Sequence, residues 1–218
     1  MSSGLLGWTE FVPELAGGLG VALKLTAASL LLGYPLGLLL VTITGSSSRP
    51  LRTVGFVIVE LGRGIPLLVL LLIVYQGLPQ VHVTPTAIVS AIAAFTWSAA
   101  AYSTEIIRAA LGAVPPGQSE AAAAAGMSDR DRFRFIVFPQ AARLAVPPLM
   151  NLAVQMFQIT SLAYVVTVPE IMQAAYFQGT VTFNYLSVFV AAAFIYAAVT
   201  IPTSALVTRL EARLGRHL

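Results

Sequence analysis

Long apolar runs separated by short polar breaks leave this chain few folds to choose from. A bilayer core takes about 20 apolar residues as helix, and five such stretches can be read along the sequence: 19–43, 54–75, 86–111, 147–168 and 185–207. In hydrocarbon each backbone N–H and C=O must be satisfied within its own segment, so every run is expected as a transmembrane helix. Only 10% of the 218 residues are charged, against roughly 25% in a soluble domain, and the mean hydropathy is +0.85. No polar stretch is long enough to fold alone. The expectation is therefore a single all-α integral membrane domain spanning residues 1–218. Trp8 and Phe11 suit an interface ahead of the first span, and Lys24, its one charge, is close enough to the end to snorkel. No basic segment with a small-residue cleavage site opens the sequence, so the first span is expected to act as its own insertion signal.

Five spans put the termini on opposite sides, and the basic residues choose between them. Nine of the twelve (Arg49, Arg52, Arg130, Arg132, Arg134, Arg143, Arg209, Arg213 and Arg216) fall in the first break, the loop after the third span and the tail. By the positive-inside rule these face the cytoplasm and the N-terminus lies outside. The same rule accounts for a pI near 9.5 without nucleic acid. There is no cysteine, so thiol chemistry and disulfides are excluded. His82 and His217 are isolated, which argues against a metal site and a Ser-His-Asp set. Lys24 is the only lysine, and no Gly-x-x-x-x-Gly-Lys-Ser/Thr phosphate loop is present. Energy must come from elsewhere, and an enzyme is not expected.

The loop at about 115–142 is where this apolar chain becomes locally charged. It is expected to hold two short helices outside the lipid. Ser119 can cap the first, Gly126 can end it in a left-handed conformation, and Ser128 with Asp131 forms a capping-box pattern for the second. From its chemistry alone this is a cytoplasmic helix-turn-helix.

Its spacing carries a resemblance. Glu120-Ala121-Ala122, then Gly126, then Ile136-Val137-Phe138-Pro139 resembles the EAA loop of ABC-importer permeases, with Phe138 where leucine is usual. Arg63-Gly64-Ile65-Pro66-Leu67-Leu68, Ala100-Ala101-Tyr102 with Glu105 and Arg108, Pro147-Pro148-Leu149-Met150-Asn151, Thr160-Ser161-Leu162 and Pro169-Glu170 are similar to segments of the polar-amino-acid permeases. The family commonly has Lys-Asp before Thr-Ser-Leu, where this chain has Gln158-Ile159. The resemblance implies the type I ABC importer permease fold in the cytoplasmic membrane of a prokaryote. It also implies a second permease chain (the same or a paralogue), an ABC ATPase subunit carrying ATP and Mg, a solute-binding protein, and a polar amino acid or related solute as cargo. In that picture Glu120, Ala121, Ala122, Gly126, Met127, Arg130, Phe133, Ile136 and Pro139 couple to the ATPase, and this chain binds no cofactor of its own. A secondary transporter or channel working alone is the competing reading, in which the EAA loop would have no purpose.

Inside the spans, charges usually face the bundle interior. Glu60 with Arg63, and Glu105 with Arg108, are three apart and can pair on one helix face. They are either internal ion pairs that pin helices or a gate on the inner part of the path. Asn151, Gln155 and Gln158 fall on one face of the fourth span and must meet helices, a second chain or water. The stripe reads as interhelical glue or as path lining, the latter with Gln155, Gln158, Thr160 and Ser161 and with Tyr102 as partner. Glu170, placed near the outer face in a polar connector, could contact the binding protein or the solute, or be an ordinary loop carboxylate. Pro66 after Gly64 should break its helix.

Overall fold

The computed structural model describes residues 7–214, which leaves Arg216 and His217 outside the described residues. Every regular element among them is helical. The first helix, α1, runs unbroken from Trp8 to Thr44. It starts well before Leu19 because the stretch from Trp8, although dotted with Glu10, Pro13 and Glu14, buries Leu15 and Gly18 against later helices. Gly45 ends α1, and Pro50 opens α2 (Arg49–Gly64) in the first turn, where its missing N–H costs nothing.

The break expected at Pro66 is a sharp one. Ile65 and Pro66 are both extended, and α2 meets the following helical run, Leu67–Val81, at 105°. The run begins as α3 (Leu67–Leu72), loosens through a π turn and ends in a 3-10 turn, where His82 takes a left-handed conformation. Helix α4 (Ala87–Gly112) is capped by Thr86, whose hydroxyl oxygen accepts from the Val89 N–H.

After α4 come α5 (Pro116–Ala124) and the one-turn α6 (Asp129–Arg132). The latter passes through a π turn at Phe133–Val137 directly into α7 (Phe138–Ile159) and a 3-10 stretch to Val166. The fourth apolar helix thus starts at Asp129, not near Pro147. Prolines at 147 and 148 sit inside it, and the π turn precedes a third. Pro139 has no N–H to offer the carbonyl one turn back. The wider turn accommodates that gap, and the Gln140 side chain donates to the neighbouring Ile136 carbonyl at 2.9 Å. The connector expected over 169–184 is largely a helix as well, α8 (Ile171–Thr182), antiparallel in the chain to α9 (Tyr185–Leu214).

Among the described residues, four helical segments are long and apolar enough to cross a membrane: Trp8–Thr44, Ala87–Gly112, Asp129–Val166 and Tyr185–Leu214; the bent pair makes up to five. They close around α1 and α4, which meet through small residues. A side-chain carbon at Gly33 would strike Ala99 and the Thr96 carbonyl, and one at Gly37 would strike Ser103. The Thr104 hydroxyl lies 3.1 Å from the Gly37 carbonyl across this contact and shares its proton with the nearer Ala100 carbonyl at 2.7 Å. Around this seam Leu25, Leu70, Phe95 and Val166 form one apolar cluster, and Leu15, Ala22, Phe157, Ile171 and Val188 another. Gly37→Leu is expected to destabilise the purified protein by about 1–3 kcal/mol through overpacking. Gly17→Ala, which meets nothing within 4 Å, should leave the thermal midpoint in detergent unchanged. Equal midpoints for the two would refute the role of this seam.

Candidate functional site

Two regions bring chemistry-bearing residues together: a cavity at the α2–α3 bend and the hairpin formed by α5 and α6. The cavity exists because α2 stops at Gly64 while α3 turns away. Its wall is made by Arg63, Ile65, Pro66 and Leu67 at the bend, Ser98 and Tyr102 on α4, and Leu152, Gln155, Met156 and Ile159 on α7, enclosing about 380 Å³. That volume suits a small solute. Helix α2 is pinned there by Trp97, whose indole N–H donates to the Ile58 carbonyl at 3.0 Å, and by Gly62, where a side chain would strike Ala101 and Trp97.

The two expected charge pairs both form, at 3.2 Å for Arg63–Glu60 and 3.1 Å for Arg108–Glu105. They are also joined. Arg63 reaches Glu105 across the gap between α2 and α4 at 3.9 Å, giving an alternating ladder of four charges. Aromatic rings back both guanidinium groups, Tyr102 lying 6.0 Å from Arg63 and Phe56 lying 4.8 Å from Arg108. Each arginine is about one-third exposed, so a further face of the ladder is open.

Of the residues read as path lining, Tyr102 and Gln155 line this cavity. Gln158 is exposed on the same stripe of α7, and Ser161 is half-buried in the 3-10 stretch. Thr160 is turned the other way. It is fully buried and its hydroxyl donates to the Phe157 carbonyl, so it does not line the cavity. At about 100° per residue Thr160 falls about 140° round the helix from Gln155 and about 160° from Gln158, which puts it off the polar stripe. Ser98 and the apolar wall at Leu152, Met156 and Ile159 were not singled out from sequence. The position of Ser98 one turn before Tyr102 was the available signal.

Glu170 is not an outer contact. Its side chain is fully buried, caps α8 by accepting from the Met172 and Gln173 N–H groups at 2.8 Å each, and accepts from the Tyr196 hydroxyl at 2.7 Å. Helix α1 lies directly against it, since a side chain at Gly18 would collide with the Glu170 backbone. The carboxylate thus locks the start of α8 to a point about three turns into α9.

In the hairpin, Gly126 takes φ +81°, and the Met127 and Gly126 N–H groups bond back to the Ala122 and Ala123 carbonyls, closing a Schellman turn. Ser119 does not cap α5. The helix has already begun at Pro116, whose fixed φ favours the first helical position, and Ser119 lies within it. Ser128 does cap α6, accepting from the Asp131 N–H at 3.2 Å. Glu120, Ala121 and Arg130 are exposed, whereas Ala122 is buried and faces the turn it closes. Met127, Ile136 and Pro139 are half-buried. Phe133, Phe135 and Phe138 are 50, 60 and 52% exposed beside Arg130 and Arg134. Among the described residues no group of three or more His, Cys, Asp or Glu side chains could hold a metal ion.

A helical bundle with a mostly apolar cavity and a charged ladder among its apolar helices, and with exposed aromatic residues just after the α5–α6 hairpin, has the features of a multi-pass membrane transport component. Residues 33–216 match the family described as binding-protein-dependent transport system inner membrane component, and the chain belongs to that family. It is 35% identical over 190 residues to the probable amino-acid ABC transporter permease protein YckA of Bacillus subtilis (strain 168), covering 87% of this chain and 84% of that one. It is 36% identical over 210 residues to the L-cystine transport system permease protein TcyB of the same organism, covering 96% and 90%. To the glutamate/aspartate import permease protein GltK of Escherichia coli O157:H7 it is 32% identical over 217 residues, covering 94% and 97%. A crystal structure of an amino acid ABC transporter with histidines superposes with a TM-score of 0.92 at 32% identity, covering 98% of this chain and 100% of that one. The MetNI methionine ABC transporter, at 23% identity and a TM-score of 0.69 over 90% of this chain and 95% of that one, shares the fold. The chain is thus a permease subunit of an ABC transporter, the translocating part of the machine.

Removing the Glu170 cap gives a direct check on the assembly of α8. Glu170→Ala strands two N–H groups and the Tyr196 hydroxyl, and is expected to destabilise the protein by about 1–3 kcal/mol. Glu170→Gln, which keeps an acceptor oxygen, should lie between. The thermal midpoint of the purified protein in detergent reads both, and no change in the alanine variant would contradict the capping role.

Proposed function

We propose that this chain forms the membrane path for a polar amino acid or closely related solute moving into a prokaryotic cell, driven by a separate ATPase subunit. In this reading the bent pair is one span, which makes five. The N-terminus is outside, and the α5–α6 hairpin and the tail face the cytoplasm. Amino-acid cargo is supported by the relatives, whose names specify amino acids, and by the close superposition on an amino acid transporter.

The observation that carries the proposal is the exposed hairpin. Phe133, Phe135 and Phe138 are large apolar side chains standing in an otherwise charged segment. An exposed aromatic surface of that kind marks a contact with a protein or with a membrane. We assign it to a groove of the ATPase, with Glu120 and Ala121 on the approaching face and Arg130 and Arg134 offering charge to acidic residues. ATP and Mg²⁺ belong to that partner. A second permease chain completes the path against the open face of the ladder formed by Glu60, Arg63, Glu105 and Arg108. A solute-binding protein delivers cargo from outside. Tyr102, Gln155 and Gln158 line the path, Ser161 edges it, and the bend at Pro66 supplies the joint about which the wall moves.

Gly126 is the test. A β-branched residue is strongly disfavoured at φ near +80°, so Gly126→Val should reshape the hairpin turn without touching the helices in the membrane. The variant is expected to insert at normal levels while co-purification of the ATPase and solute uptake fall at least about tenfold, a loss of 1.4 kcal/mol or more in docking. Full uptake with a normal complement of ATPase would sink the docking assignment.

A further inference from the structure

The cavity and the ladder also specify charge. Resting on the proposed path, we infer that the solute is an amino acid whose side chain is uncharged at neutral pH, carried as a zwitterion. Arg63 is the sole ionised residue in the cavity wall, and its positive charge is already answered by Glu60 at 3.2 Å and Glu105 at 3.9 Å. Arg108 is answered by Glu105 at 3.1 Å. Across the four side chains two positive and two negative charges cancel. The remaining polar groups of the wall, Ser98, Tyr102 and Gln155, are neutral.

A ligand with a net charge would therefore find no free counter-charge on this chain's wall of the cavity, and an unanswered charge within a membrane is costly. A zwitterion brings none. Both glutamate contacts of Arg63 are made through Nη1. The Nε and Nη2 donors then form the planar fork that accepts a carboxylate side-on. Their use by the α-carboxylate leaves the charge alternation of the ladder intact, and the α-amino group has its counter-charge in that same carboxylate. Gln155, with an acceptor and a donor on one amide, matches an uncharged polar side chain and gives neither sign of charge an advantage.

The experiment uses the permease assembled with its ATPase and purified in detergent without the binding protein, so that selection by the delivery component is removed. Calorimetric titration with L-glutamine, L-arginine and L-glutamate is expected to rank glutamine at least about tenfold tighter than both charged amino acids. Gln155→Glu should raise the relative affinity for arginine at least about tenfold, and Gln155→Lys should do the same for glutamate. Wild-type binding of arginine or glutamate as tight as that of glutamine would overturn the inference, as would a ranking that the Gln155 variants do not move. If none of the three binds and Gln155→Ala leaves uptake by the full complex with its binding protein intact, the cavity is not on the path and the underlying reading fails with it. Charged cargo that still depends on Gln155 would overturn the charge rule alone.

Discussion

Close contact between α1 and α4 is the constraint on which the arrangement of the other helices depends. Lipid tails are as apolar as leucine, so burying leucine gives helices little reason to associate; what holds them is dense packing and hydrogen bonding across the seam. Gly33 and Gly37 bring the two backbones together, and the Thr104 hydroxyl bonds across them. Tyr34 extends from α1 on the same turn to donate to the Leu149 carbonyl at 2.6 Å, which seats α7. With α4 fixed, Trp97 and Ala101 present the surface that Gly62 of α2 requires. The cavity is thus bounded on three sides by helices that each touch α4 or a helix seated on it. Its shape follows from glycine and alanine placement more than from the polar residues that line it.

The membrane-crossing helices were legible in the sequence because long apolar runs have few interpretations. Their ends were not. Trp8–Gly18 carries two glutamates and a proline, which reads as polar lead-in, yet Leu15 and Gly18 are buried against α8 and α9. No local pattern announces a partner more than 150 positions away. The stretch after Pro169 misled for a related reason. The stretch read as a polar connector, while the decisive features, Glu170 as a cap and Gly18 as the space for it, are far apart in the chain.

The candidate site was legible where spacing alone determines neighbours. Pairs three apart on a helix meet whatever the fold, so the Glu60–Arg63 and Glu105–Arg108 contacts could be anticipated, as could the joint at Pro66. The bridge from Arg63 to Glu105 depends on how α2 crosses α4 and had no signature. Thr160 failed on the same arithmetic: at about 100° per residue it lies across the helix from Gln155 and Gln158, so grouping it with them did not follow from spacing.

The run from Asp129 to Val166 is one continuous helical segment, carried past Pro139 by the π turn at Phe133–Val137. The segment has the exposed aromatic residues near one end and Gln155 near the other. At 1.5 Å per residue, Phe138 and Gln155 are about 26 Å apart along it. A lever of that length amplifies: a tilt of about 10° at the aromatic end sweeps the amide through about 4–5 Å, more than the length of a hydrogen bond. In the proposed function, the position of Gln155 and the pose of the hairpin are thereby one mechanical variable, with no relay of side chains between them.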